Sequence, residues 1–302
     1  MSYTINLDNS QVQFLLEKYR DYLEEPGNNY TLFRAKFNNS VLTVYKTNTA
    51  LIQGKDEYEF YVKVCKELNI VPVEKDSQNN PHSALNALQS IIGTDEVGTG
   101  DFFGGIVVAG CFVPKSEIFN IKKIGVRDSK ELSDSKILEI APILMKKLVH
   151  SISKLDNLHY NYLVSKYKLN MNAIKSLMHN SIVLSMMNKV ENYDAIIIDA
   201  FTTRPNYFNY LKNEKKVAEN VILEEKAENK FISVACASII ARYTFLKQLE
   251  ALSNEIGFEL PKGAGKPVDT AILKIYTESG TQIFKNIAKM NFKNFDKYRV
   301  QS

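Results

Sequence analysis

The short apolar run Ala195-Ile-Ile-Ile-Asp199 places the strongest constraint on how this chain can fold. Five residues are too few for a helix, and an apolar run without alternation is typical of a strand that is buried on both faces. Such a strand needs a helical layer on each side of its sheet, and helical patterns at residues 171–190 and 201–211 flank it. The run therefore predicts an α/β fold.

The remaining patterns after residue 83 agree with this prediction. Strands are predicted at residues 90–94, 106–113 and 220–224, and helices at residues 134–150, with an early break at Pro142, and 234–256. Helices that alternate with strands after an initial hairpin indicate an α/β domain with a mixed sheet.

A polar segment, residues 74–82, has no hydrophobic period and contains a proline, as is typical of a linker. It predicts two domains, residues 1–80 and 83–302. The first domain reads as helix, three strands and helix, an α+β arrangement. Its predicted elements are a helix capped by Asp8 or Ser10, strands at residues 31–37, 41–46 and 50–53, and a helix at residues 56–69 with Tyr58, Tyr61, Val62, Cys65 and Leu68 on its buried stripe.

The sheet of the first domain is predicted to carry helices on one face only, which leaves the other face open. Arg34, Lys36, Tyr45 and Lys46 lie on its strands. Basic residues on a strand usually form a solvated face, whereas cations beside an aromatic ring also suit the binding of nucleic acid. The sequence leaves both interpretations open.

Charge and cysteine content narrow the class of protein only a little. The net charge is +4; residues 1–80 carry 9 basic and 11 acidic residues, and the rest of the chain carries 29 and 23. A mild basic excess fits nucleic acid and many other partners. The three cysteines are widely spaced, residues 1–10 are polar, and the longest apolar run, residues 104–113, is about half of a membrane span. We therefore expect a cytoplasmic protein that does not enter a membrane.

Two acidic features break the local pattern. Asp95 and Glu96 are adjacent where a buried strand meets a glycine-rich turn, and Asp199 follows three isoleucines at a strand end. These acids could be a turn residue and helix caps, or they could form a cluster that only cations would hold together. Strand ends at one edge of an α/β sheet are where such folds bind ligands, which favours the cluster.

The types of side chain at this edge indicate the chemistry. Carboxylate oxygens select Mg²⁺ or Mn²⁺, and the histidines and cysteines show no zinc-ligand spacing. No P-loop or nucleophile motif stands out, and Gly98-Thr-Gly100 alone is weak evidence for a dinucleotide site. Carboxylates without a resident nucleophile point to metal-activated water, whose leading use is phosphodiester cleavage.

Five motifs then resemble a known family. They are Gly93-Thr-Asp-Glu-Val-Gly-Thr-Gly-Asp-Phe-Phe-Gly104, Gly125-Val-Arg-Asp-Ser-Lys-Glu-Leu-Ser133, Ile198-Asp-Ala-Phe201, Lys226-Ala-Glu228 and Ala235-Cys-Ala-Ser-Ile-Ile-Ala-Arg-Tyr243. Their order and spacing resemble the type 2 ribonucleases H, specifically the bacterial ribonuclease HIII family. Residues 1–80 are similar to that family's TATA-binding-protein-like domain, notably at Leu32-Phe-Arg-Ala-Lys36 and Gln53-Gly-Lys55.

The resemblance implies a ribonuclease H-like fold with a four-carboxylate site made of Asp95, Glu96, Asp199 and Glu228. It implies an endonuclease that uses Mg²⁺ or Mn²⁺ to hydrolyse the RNA strand of RNA–DNA hybrids in replication or repair, and leaves 5′-phosphate and 3′-hydroxyl ends. By the same resemblance Gly98, Thr99 and Gly100 would read 2′-hydroxyls, and Ser129 and Lys130 would contact phosphate. Without the resemblance, the sequence around Glu228 indicates only a charged surface loop.

Two differences from ribonuclease HII affect the expected substrate. That family has Arg between the two glycines and Asp as the fourth acid, where this chain has Thr99 and Glu228, and residues 260–266 lack an expected tyrosine. We therefore expect cleavage at runs of ribonucleotides and not at a single embedded one. The alternatives are a resolvase- or integrase-like nuclease that acts on DNA, and a non-catalytic binding protein. Nothing indicates an oligomer, so we expect a monomer.

Overall fold

The computed structural model describes residues 2–26, 28–68, 70, 89–126 and 129–296. The chain divides into two compact units, Met1–Ser83 and Ala84–Ser302. The predicted linker, residues 74–82, lies outside the described residues, so the domain boundaries stay a prediction. No helix in the described ranges is long and apolar enough to cross a membrane.

The first unit is an antiparallel sheet with two helices. Its elements are β1 (Ser2–Asn6), α1 (Asn9–Lys18), β2 (Leu23–Glu24), β3 (Thr31–Phe37), β4 (Ser40–Tyr45), β5 (Thr49–Gly54) and α2 (Glu57–Glu67). The strand order is β1-β5-β4-β3-β2. Asp8 caps α1 in a reciprocal capping box with Gln11. The predicted helix, three strands and helix are present. Two further strands, β1 and β2, lie at the edges of the sheet; they were not predicted because their sequences are short and contain few apolar residues.

The helices of this unit cover one face of the sheet. Leu15 of α1 and Val64 of α2 are fully buried against Ala35, Leu42 and Ile52 of the strands. The predicted stripe of α2 was partly wrong: Tyr58 is 37% exposed. Tyr61 and Cys65 are buried as predicted, and Phe60 and Val64 complete the buried side of α2, because pairs four residues apart point to the same side of a helix.

The second unit is a mixed sheet between helical layers, as predicted. Its elements are β6 (Ile91–Val97), β7 (Ile106–Val113), α3 (Ile118–Lys123), α4 (Asp134–Lys147), β8 (His150–Leu155), α5 (Asn157–Tyr167), α6 (Met171–Met187), β9 (Ala195–Asp199), α7 (Arg204–Leu211), β10 (Val221–Glu224), α8 (Ala227–Lys230), α9 (Ile232–Ile256), α10 (Lys266–Ser279) and α11 (Phe284–Ile287). The strand order is β10-β9-β6-β7-β8, with β10, β9 and β6 parallel and the other pairs antiparallel.

Each face of this sheet is covered by different helices. Helices α9 and α4 share one core with β7, and α6 and α7 pack with β9 in a second core on the other face. Gly93 lets α9 lie against β6, because a Cβ atom there would lie only 2.4 Å from the Val234 amide nitrogen. The central strands β6 and β9 are therefore buried on both sides.

Three details of the second unit differ from the predictions. Helix α4 continues past Pro142 and ends at Lys147. His150, predicted in that helix, instead begins β8, whose sequence has too few apolar residues to stand out. Strand β6 extends to Val97, so Asp95 and Glu96 belong to the strand and not to the turn after it.

Candidate active site

The candidate site lies where β6 and β9 end side by side. The two strands are parallel and pair Thr94 with Ile198, so the next residue of each strand, Asp95 and Asp199, falls at the same edge. Helix α8 begins soon after β10 and brings Glu228 to this edge. The Ala227 amide donates a hydrogen bond to Asp199 Oδ1 at 2.8 Å, which joins α8 to β9.

Asp95 lies on the face of β6 that carries α9. Its side chain accepts hydrogen bonds from the Glu96 amide, at 2.7 Å, and from the hydroxyl of Ser238 on α9. The residue is only 7% exposed. Burial, followed by the charge of Glu96, raises the pKa of Asp95 well above its ordinary value, and Asp199 adds to this effect. The site therefore resists placing a bare negative charge on Asp95.

Glu96 lies on the opposite face of β6, against α6, because successive side chains alternate along a strand. Its two oxygens lie 2.9 Å from Lys175 Nζ and 2.9 Å from His179 Nε2. His179 is fully buried, and its Nδ1 lies 2.8 Å from Thr94 Oγ1. Burial opposes ionisation of Glu96, but the hydrogen bonds and charges of His179 and Lys175 outweigh burial and lower its pKa.

Asp199 and Glu228 form the third part of the site. Burial is the largest cause that raises the pKa of Asp199 to about 7; the neighbouring Glu228 adds to the rise, and the hydrogen bond from the Ala227 amide opposes it. Glu228 is 4% exposed. Its Oε1 accepts a hydrogen bond from Lys130 Nζ at 2.7 Å, and its Oε2 is buried with no hydrogen-bond partner. Burial opposes the ionisation of Glu228, but Lys130 keeps the pKa of Glu228 below its ordinary value.

These four acids suit hard divalent cations by their chemistry. They offer only oxygen ligands, two of them have a raised pKa, and one buried oxygen has no partner, so added positive charge would stabilise them. As placed, no three acidic, histidine or cysteine side chains of the described ranges converge on one ion position. The separation has a physical cause: Asp95 and Glu96 face different helices, and Lys175 and Lys130 already neutralise Glu96 and Glu228.

The glycine-rich loop after β6 lies next to these acids. Gly98 has φ +97°, and a Cβ atom there would lie 2.4 Å from the Gly105 carbonyl oxygen, so the fold itself requires this glycine. Gly100 is different, because it is exposed and a Cβ atom there would meet nothing within 4 Å. Thr99, between them, is partly exposed.

Comparison with known proteins identifies the family. The family described as Ribonuclease HII matches residues 92–295. This chain belongs to the ribonuclease HII family. Full-length relatives are ribonucleases HIII: one from Phytoplasma mali is 39% identical over 100% of this chain and 99% of its own length, and one from Streptococcus mutans is 39% identical over 98% and 97%. A crystal structure of Bst-RNase HIII in complex with Mn²⁺ is 36% identical, with a TM-score of 0.69 over 99% of this chain and 98% of that one.

The full-length relatives confirm the resemblance to the bacterial ribonucleases HIII that the five motifs predict, within the broader family described as Ribonuclease HII. The structure adds residues that the sequence did not suggest: Lys175 and His179 beside Glu96, and Ser238 beside Asp95. A signal for two of them was present, because Lys175 and His179 lie one helical turn apart among apolar residues of α6 that are buried. Charged residues on such a stripe need partners.

The two predicted phosphate contacts lie in different surroundings. They are Ser129 and Lys130. Ser129 is 4% exposed, and its hydroxyl hydrogen-bonds the Ser238 hydroxyl at 2.7 Å. The Lys130 side chain is 75% exposed although its ammonium contacts Glu228. Lys130 is therefore accessible at the rim of the site, whereas Ser129 supports Asp95 through Ser238.

The predicted basic surface lies in the first unit, where a family described as a domain of unknown function (DUF3378) matches residues 2–63. Arg34, Lys36 and Tyr45 alternate with buried residues and so occupy the open face of the sheet. Arg34 Nε lies 3.4 Å from Glu24 Oε2, so its charge is partly compensated, whereas Lys36 is exposed. Lys46 is exposed one residue beyond the end of β4, not within a strand as predicted.

Proposed function

We propose that this chain is an endonuclease that hydrolyses the RNA strand of RNA–DNA hybrids with Mg²⁺ or Mn²⁺, and leaves 5′-phosphate and 3′-hydroxyl ends. The observation that carries the proposal is the set of four acids at the ends of β6, β9 and β10, in which burial and mutual repulsion raise the pKa of Asp95 and Asp199. Membership of the ribonuclease HII family supports the same reaction.

In this proposal Asp95, Glu96, Asp199 and Glu228 are the metal ligands and catalytic residues. The bound cations supply Lewis-acid chemistry, which activates a water molecule and stabilises the leaving 3′ oxygen. The protein supplies the arrangement of ligands. Ser238 orients Asp95, and the Ala227 amide orients Asp199.

Lysine and histidine side chains prepare the site before cations arrive. Lys175 and His179 hold Glu96 ionised and fixed, so its oxygens are ready to bind a cation. Lys130 does the same for Glu228 and, at the rim, is placed to contact a phosphate of the substrate. The burial of Ser129 favours support of Asp95 over direct contact with phosphate.

We propose that the loop Gly98, Thr99 and Gly100 recognises the hybrid through its backbone, where 2′-hydroxyls distinguish RNA from DNA. The free space at Gly100 supports this role, because the fold itself has no need of a glycine there. Arg34, Lys36, Tyr45 and Lys46 would form a second contact, with phosphate and sugar, on the first unit. We also propose that the protein is a monomer and that it lies in the cytoplasm; three buried free cysteines support a reducing compartment.

The experiment that tests the function uses an end-labelled RNA strand, alone and annealed to DNA, with Mg²⁺, with Mn²⁺ or with chelator. We expect the RNA to be cleaved only when it is annealed to DNA and only when a divalent cation is present, because the acids need added positive charge. Cleavage of duplex DNA would support the resolvase-like alternative, and tight hybrid binding without cleavage would support a binding protein.

The same assay defines the substrate when ribonucleotide runs of different length are placed in duplex DNA. The full-length relatives of this chain are ribonucleases HIII, and Thr99 and Glu228 stand where the sister enzyme ribonuclease HII has Arg and Asp, so we expect cleavage within runs and little cleavage at one embedded ribonucleotide. Efficient incision at a single ribonucleotide would contradict this expectation.

The basic surface of the first unit predicts a change in salt dependence. Lys36→Gln and Arg34→Gln should each raise KM for the hybrid and reduce the slope of log KM against log salt by up to about 0.9, the value for one lost phosphate contact. The effect should be larger for Lys36, because Glu24 already compensates Arg34. Steady-state kinetics between low and physiological salt measure the slope.

Lys66→Gln provides the matched control for this prediction. Lys66 is exposed near the end of α2, the helix on the other face of the sheet, and the substitution removes the same charge. If Lys66→Gln lowered the slope as much as Lys36→Gln, the effect would reflect net charge and not the open face.

A further inference from the structure

Lys289 is a fully buried lysine in the segment after α11. Its ammonium group donates hydrogen bonds to the carbonyl oxygens of Asp101, at 2.8 Å, and Gly104. Both acceptors belong to the loop between β6 and β7 that begins with Gly98. A lysine is almost never fully buried without such partners, so this side chain marks a place where loop carbonyls point into the protein.

The main chain around Lys289 also binds this loop. The Lys289 amide donates to the Phe102 carbonyl at 2.9 Å, and the Gly104 amide donates to the Ile287 carbonyl at 2.9 Å. The segment therefore lies beside Phe102–Gly104 like a short antiparallel strand. The Lys289 side chain also hydrogen-bonds the carbonyl oxygens at both ends of the Asp101–Gly104 stretch. The loop is held from the side that faces the protein.

A second set of contacts holds the loop from other directions. Asn157 at the start of α5 donates to the Gly104 carbonyl at 2.8 Å, and the Phe102 amide donates to the Gly263 carbonyl at 2.8 Å. Asp101 Oδ1 accepts from the Gly263 amide at 2.6 Å. Gly263 contacts the neighbouring residues Asp101 and Phe102, and Asn157 contacts Gly104, whereas the Lys289 ammonium joins the carbonyls of Asp101 and Gly104 through one group.

The placement of an ammonium there has an energetic consequence. Burial of the charge is unfavourable and lowers the pKa of Lys289 to about 7, with the nearby Asp101 opposing the shift. An apolar side chain of similar length would avoid that cost but would leave two inward carbonyls with fewer donors. The lysine is thus suited to fixing the loop and not only to filling the core.

We propose that Lys289 is a positioning residue for substrate recognition, which fixes the Asp101–Gly104 stretch so that Gly98, Thr99 and Gly100 present their backbone beside the four acids. The inference rests on the proposed function, because it takes the loop to contact the hybrid. Lys289 touches neither substrate nor cation; it acts through the loop.

The test compares Lys289→Met, which keeps the length and removes the donors, with Lys285→Met in the neighbouring helix α11. Lys285 is exposed and has no place in the site. For the full chain we measure the Kd of a hybrid in chelator by fluorescence anisotropy, kcat with divalent cation, and hydrogen exchange of the amides at residues 98–104.

We expect Lys289→Met to raise the Kd about tenfold, to change kcat less than threefold, and to speed exchange in the loop, while Lys285→Met leaves all three unchanged. Unchanged Kd and exchange would overturn the proposal, as would a loss of kcat with unchanged Kd. Binding and exchange need no turnover, so they test Lys289 even if the unsubstituted protein proves not to cleave hybrids, an outcome that would count against the proposed function alone.

Asn157→Leu keeps the proposal testable if Lys289→Met does not fold. This substitution removes one of the donors to the Gly104 carbonyl and leaves Lys289 in place. A smaller rise in Kd, about threefold, with faster exchange confined to the loop is the expected result. Exchange that is faster throughout β7 and α9 instead would show a general loss of stability and contradict a role in positioning.

Discussion

The variants Asp95→Asn and Asp199→Asn are each expected to cleave an RNA–DNA hybrid at least ~1,000-fold more slowly than the unsubstituted protein, with no loss of thermal stability. The loss follows from the removal of a charged ligand from the proposed metal site, where a neutral amide binds a hard cation weakly. Single-turnover cleavage with saturating enzyme measures the rate, and thermal unfolding in chelator measures stability.

The expected stability of Asp199→Asn follows from the sign of the pKa shift. The fold raises the pKa of Asp199 from an ordinary 3.8 to about 7, so the folded state holds a proton more tightly than the unfolded state does. This contribution to stability is complete below pH 3.8 and is lost as the pH rises to about 7. Asparagine cannot ionise, so the variant should lose less Tm than the unsubstituted protein between pH 5 and pH 8.

Glu225→Gln is the control for both acid variants. Glu225 lies in the turn between β10 and α8, close to Glu228 in the chain, and is exposed. It carries the same charge and is not one of the four proposed ligands. Near-normal cleavage by either Asp variant, or an equal loss in Glu225→Gln, would show that the site has been assigned to the wrong residues.

The second large effect is expected at Gly100. Gly100→Ala should lower kcat/KM for the hybrid about tenfold, mainly through KM, and leave Tm unchanged. An added methyl group meets no protein atom within 4 Å, so the folded protein accommodates it. The same methyl group would occupy the space through which the loop backbone approaches the hybrid.

Gly257→Ala is the control for this variant, because it should lower Tm and leave KM unchanged. A Cβ atom at Gly257 also meets nothing within 4 Å, but this residue ends α9 with φ +66°. Alanine in that conformation costs about 1 kcal/mol, so Tm should fall while KM stays the same. A normal KM for Gly100→Ala would remove the loop from the proposed substrate contacts.

The sequence predicted parts of the site because some of its signals are local. Asp95 comes directly after a predicted buried strand and Asp199 follows three isoleucines at a strand end, patterns that can be read without any tertiary information. Glu228 cannot be read in that way, because its neighbours at residues 224–230 are polar and only the α8 turn buries it. Its place came from the family resemblance.

The partners of the acids are the part that the sequence did not reveal. Ser238 lies 143 positions after Asp95 in the chain, and His179 lies 83 positions after Glu96. Only the packing of α9 and α6 on opposite faces of the sheet brings these pairs into contact. The strand β8 was missed for a different reason, because its buried face is short and mostly polar.

The alternation along β6 links the quality of folding to activity. Asp95 is held by α9 and Glu96 by α6, and each helix supports only the acid on its own face. A shift of β6 by one residue against β7 would exchange the two faces, so each carboxylate would meet the wrong helix and lose its partners. Molecules with that error would be inactive in a cleavage assay. The specific activity of a refolded sample would therefore be proportional to the fraction of molecules with the correct register.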